Sequence, residues 1–119
     1  MRDFRKLKVW EKAHYLALAI YQATASFPRE EVYGLTSQMR RAATSVPANI
    51  AEGCGRTGTV ELARFLQIAM GSASELEYHL LLGRDLNFIS GVDYTRFVGQ
   101  VTEIKQMLTS YIRRLKASS

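Results

Sequence analysis

Ser37–Arg56, SQMRRAATSVPANIAEGCGR, begins as an amphipathic helix and ends in glycine. Met39, Ala42, Ala43, Val46 and Ile50 recur at helical spacing. Pro47 interrupts this apolar pattern. Its ring opposes the carbonyl of Ala43 and removes one backbone donor, so a helix is expected from Thr36 to about Gly53 with a kink at Pro47. Ser45, Asn49 and Glu52 lie four and three residues apart and therefore share one face. Gly53, Gly55 and Gly58 follow, and Gly53 can take the left-handed conformation that closes a helix.

Three plainer helices flank this one. Val9, Ala13, Leu16, Ile20, Ala23 and Phe27 form a heptad seam, and the residue before Pro28 is pushed out of the α region, which predicts a first helix over 8–26. Thr36 is the expected N-cap of the second. Leu62, Leu66, Ala69, Ala73, Leu76 and Leu80 predict a third over 60–84, capped by Thr59 and fraying between Gly83 and Asn87. Gly71 lies inside it at a propensity cost of about 1 kcal/mol, which close approach of a neighbouring backbone would offset. Ser90 and Asp93 resemble a capping box for a fourth helix over 91–116, with its seam through Tyr94, Phe97, Val101, Ile104, Leu108, Tyr111 and Leu115. Four helices with short connections and no strand signal predict an all-α, up-down-up-down four-helix bundle occupying 1–119 as one domain.

The 119 residues are enough to bury a core without staples, and 47% hydrophobic with 23% charged residues is ordinary globular composition. A single cysteine, Cys54, suits a reducing compartment. The opening MRDFRKLKVW has no apolar leader, and no apolar run approaches the roughly 20 residues of a membrane span. A cytoplasmic protein without membrane contact is expected.

Lys and Arg total 16 against 11 Asp and Glu, a formal charge of +5. An up-down-up-down path gathers Arg2, Arg5, Lys6, Lys8, Lys12, Arg56, Arg64, Arg113, Arg114 and Lys116 at one pole. Asp3, Glu11, Glu52 and Glu61 oppose them, a net of about +6. A polarised field of this kind attracts phosphate backbones. The plain alternative is a set of solvated chain-end charges. The candidate nucleic-acid contacts are Arg2, Arg5, Lys6, Lys8, Lys12, Arg56, Arg113, Arg114 and Lys116.

Other motifs carry less. Gly53-x-Gly55-x-x-Gly58 matches a dinucleotide fingerprint as a string but follows a helix, whereas the fingerprint must follow a strand. Cys54, His14 and His79 fall on three elements, with no nucleophile–base arrangement and no metal-ligand spacing. No catalytic residue, cofactor or metal is expected. Arg41, Ser45, Asn49 and Glu52, with Ser72 and Glu75 on the third helix, fit a polar network that locks helix register, with a binding site as the alternative. Trp10, Ala17 and Tyr21 on the first helix, and Val98, Met107 and Ile112 on the fourth, form second apolar lines. They suit a homo-oligomer interface or a wide core stripe.

YGLTSQMRRAATSVPANIAEG (33–53), FLQIAMGSASELE (65–77) and FRKLKVWEKA (4–13) together resemble the small four-helix-bundle proteins encoded in 23S rRNA intervening sequences. That broad family is similar to the accessory protein of diversity-generating retroelements, a pentameric, positively charged barrel that binds nucleic acid and a reverse transcriptase. The resemblance implies a bundle, a homo-oligomeric ring of five and no known catalysis. By analogy with the accessory branch it implies nucleic-acid binding, or an adaptor role toward a reverse transcriptase or another nucleic-acid enzyme. The family's recurrent positions fall on Arg41, Ser45, Pro47, Asn49, Glu52, Gly53, Gly71, Ser72 and Glu75, all expected to be structural.

Overall fold

The apolar seams face inward in a computed structural model that describes residues 2–118. α1 spans Lys8–Thr24, α2 Leu35–Cys54, α3 Thr59–Asp85 and α4 Gly91–Ser118, with single 3-10 turns at Phe4–Lys6 and Arg29–Glu31. No strand occurs among the described residues. Each helix packs on its neighbours in sequence and α1 returns onto α4, while the backbones of the diagonal pairs stay apart, which makes an up-down-up-down bundle of 46 × 23 × 20 Å. The α2–α3 seam is the most extensive and the α1–α4 seam the sparsest. Ile20, Met39, Ile50, Leu66, Leu80 and Leu108 are fully buried along the axis.

α2 runs through Pro47 as one helix, and Pro47 is buried. The termini differ from the expected caps. Thr36 is buried one residue inside α2, whose start is closed by Glu31, with Oε1 accepting from the Leu35 N–H at 3.0 Å. Thr59 is the first residue of α3. The N-cap is Gly58 at φ 86°, a conformation other side chains adopt only under strain. α3 does not fray. Asn87 takes φ 64°, the Phe88 N–H donates to the Gly83 carbonyl at 2.8 Å and the Asn87 N–H to that of Arg84 at 2.9 Å, a complete Schellman closure. Ser90 does cap α4, its Oγ accepting from the Asp93 N–H at 3.1 Å.

Two glycine expectations are corrected. Gly53 does not close α2 in a left-handed turn, because the helix continues to Cys54. A Cβ on Gly53 would lie 2.9 Å from the Phe65 Cβ, so this glycine admits α3. Gly71 meets nothing within 4 Å and is exposed, so no neighbouring backbone explains it.

Candidate nucleic-acid interface

At one end of the bundle lie the start of α1, the α2–α3 turn and the end of α4. The N-terminal segment is tied there by the Arg2 N–H, which donates to the Cys54 carbonyl at 3.0 Å. Several candidate cations are paired. Arg5 meets Asp3 at 3.5 Å, Lys8 meets Glu11 at 3.9 Å and Arg56 meets Glu52 at 3.7 Å. Lys12 reaches across to Glu103 on α4 at 3.3 Å. These pairs are solvent-exposed and hold their partners weakly. Arg2, Lys6, Arg113 and Arg114 are exposed with no carboxylate within ion-pair distance among the described residues. Lys116 is exposed and lines a small recess with Leu115 and Thr59.

Aromatic rings lie beneath these charges. Arg5 sits over Phe4 at 4.7 Å, Arg56 and Arg64 over Phe65 at 5.0 and 4.5 Å, and Arg114 over Tyr111 at 5.5 Å. Burial pushes the Tyr111 hydroxyl and the Cys54 thiol above their ordinary pKa values, and the positive charge of Arg2 opposes both shifts. The hydrogen bond from Arg64 holds Glu61 below the usual carboxylate range. Between α1 and α4 at this pole lies an open groove of about 550 Å³.

The expected polar network forms only in its middle. Asn49 Nδ2 donates to the Ser45 carbonyl at 2.8 Å and to Ser45 Oγ at 3.0 Å, and Ser72 Oγ donates to Ser45 Oγ at 2.9 Å across the α2–α3 seam. Arg41 and Glu75 are exposed and outside it, and Glu52 turns to Arg56. The arginine that does join two helices is Arg40. Its Nε donates to Thr24 Oγ1 at 2.8 Å and its Nη2 to the Tyr21 carbonyl at 3.1 Å, at the C-terminal end of α1. Adjacent Arg40 and Arg41 differ by one step of helix phase, and the signal that separates them is Thr24, a hydroxyl in the last turn of α1.

The second apolar lines divide. Ala17 and Ile112 are buried within the single chain and belong to its core, as a wide stripe would place them. Trp10, Val98 and Met107 are half-buried against that core, and Tyr21 is 45% exposed beneath Arg40. Trp10 stacks on His14 at 4.9 Å, above a shallow groove floored by Pro47, Ala48 and Ala51 of α2. Both His79 ring nitrogens are buried without a hydrogen-bond partner among the described residues, a feature absent from the sequence reading. No group of three or more His, Cys, Asp or Glu that could hold a metal occurs among the described residues, and none of their helices is long and apolar enough to cross a membrane.

The class defined by this geometry is a small all-α bundle whose positive charge is concentrated at one end. The family model of the 23S rRNA-intervening sequence proteins matches residues 5–110, and the chain belongs to that family. It is also similar to a protein of unknown function from the S23 ribosomal protein family of Bacteroides thetaiotaomicron VPI-5482. Identity there is 28%, the match covers 87% of this chain and 97% of that one, and the TM-score is 0.79. No curated protein matches the chain.

Proposed function

We propose that this protein is a non-enzymatic homo-oligomer, a ring of five, that binds the backbone of RNA or DNA through its basic pole. The observation that carries the reading is the group of four exposed cations, Arg2, Lys6, Arg113 and Arg114, left without a carboxylate partner where the chain's excess positive charge collects. Contacts of this kind position a protein on phosphates and carry no base information. Repetition around a ring would multiply that charge and strengthen its pull on a phosphate backbone. Light scattering of the purified protein, alone and with a short RNA at two salt concentrations, tests it. A mass five times that of the 13.4 kDa chain, with RNA bound at low salt and released at high salt, is expected. A monomer, or binding indifferent to salt, would refute it.

The half-exposed apolar groove between α1 and α2, with Trp10 and Tyr21 above Pro47 and Ala48, favours a second reading as an adaptor for a protein partner such as a reverse transcriptase. A partner retained from nuclease-treated lysate would select it.

A further inference from the structure

The α1–α4 groove opens at the sparsest seam of the bundle. Its floor is apolar, made by Leu7 and Val9 of the α1 entry and by Met107 and Tyr111 of α4. Gln106 and Ser110 form one wall. Both are exposed, and neither side chain has a hydrogen-bond partner among the described residues. The ends differ in charge. At one, Lys12 neutralises Glu103. At the other, eleven residues along α4 and roughly 16 Å away, Arg114 lies over the Tyr111 ring without a carboxylate within ion-pair distance among the described residues. Arg114 lines the groove itself, and Lys8 lines it from the start of α1. An apolar slot with a half-buried aromatic ring, free amide and hydroxyl groups along one wall and cations at one mouth complements a nucleobase with its phosphate. A volume of about 550 Å³ falls in the range of small-ligand clefts.

Resting on the proposed nucleic-acid reading, we infer that the α1–α4 groove seats an unstacked base of a single-stranded nucleic acid against Tyr111, with the adjoining phosphate on Arg114. A duplex keeps its bases stacked and paired and cannot fill the slot. Arg113, one residue before it, lines the neighbouring α3–α4 groove, so the strand has a second cation to follow along the pole. The ligand is thereby narrowed from nucleic acid in general to single strands, by stacking rather than by base-specific hydrogen bonding.

Fluorescence anisotropy with a labelled RNA of about a dozen nucleotides, single-stranded or annealed to its complement, tests this in matched salt. A duplex has the higher charge density and gains more from counterion release, so charge alone favours it. The groove predicts the opposite order, with the single strand bound about tenfold more tightly. Tyr111→Leu should bring that ratio toward one. Ser110→Leu fills the slot from an exposed helix position without touching the core and should do the same, which separates lost stacking from lost folding. A duplex bound as well as the single strand, or a ratio that ignores both substitutions, overturns the inference while leaving backbone binding intact. Failure of both RNA forms to bind overturns the proposed function and this inference with it.

Discussion

Gly53 and Gly71 both sit within helices, and a methyl group added to each should have opposite effects. At Gly53 the new Cβ meets the Phe65 Cβ at 2.9 Å and the Leu62 carbonyl oxygen at 3.3 Å, so α3 must move away. Gly53→Ala should cost about 1–3 kcal/mol in denaturant unfolding, as overpacking does. At Gly71 the space is open, and Gly71→Ala should stabilise by about 0.5–1 kcal/mol through helix propensity and a less flexible unfolded chain. Cys54 gives a pH test. Burial raises its thiol pKa in the folded state, so the neutral form is favoured there. The resulting stability is whole below the unfolded thiol value of about 8.5 and is lost as pH climbs through the higher folded value. Unfolding midpoints should therefore decline above about pH 8.5, and Cys54→Ala should remove part of that decline. For the same reason native Cys54 should react slowly with iodoacetamide near neutral pH and quickly once unfolded.

Among the elements, the helices themselves were legible because each carries a sustained heptad seam whose period is set by core packing. Their ends were not. Thr36 and Thr59 satisfy the composition rule for an N-cap, yet Thr36 is the second residue of α2 and Thr59 the first of α3, because the Glu31 carboxylate and the positive-φ Gly58 close those termini in ways that depend on the path of the preceding turn. The Schellman closure at Asn87 was invisible for a related reason: Gly83, the apparent helix breaker, is an interior residue whose missing side chain admits Ile89. The polar set on α2 was partly legible. Ser45, Asn49 and Ser72 join as helix phase implies, whereas choosing Arg41 over Arg40 required knowing where α1 ends. Arg40 donates to that end and lays its charge against the C-terminal dipole of α1, so Arg40→Met should cost about 1 kcal/mol after allowance for partial exposure. Arg41→Met should stay within about 0.5 kcal/mol. Equal effects in thermal melts would refute the placement of the helix link on Arg40.

For the whole molecule, topology turns a modest formal charge of +5 into a polar distribution, since alternating helices carry the chain's two cation-rich ends and one turn to the same pole. That much followed from sequence once four helices were counted. Which cations are neutralised did not, because Lys12–Glu103 crosses between helices far apart in the chain, and the α1–α4 groove arises only from how those two helices separate. The most direct test of the central claim is the dependence of single-stranded RNA affinity on salt, compared between the wild-type protein and a variant with Arg2, Lys6, Arg113 and Arg114 replaced by Gln. Logarithmic affinity should fall against logarithmic salt by about 0.7 for each phosphate neutralised, and the variant should bind more weakly with a slope shallower by roughly 3 for each pole that engages the strand. Parallel slopes of equal affinity would contradict the account and assign those cations to solvent alone.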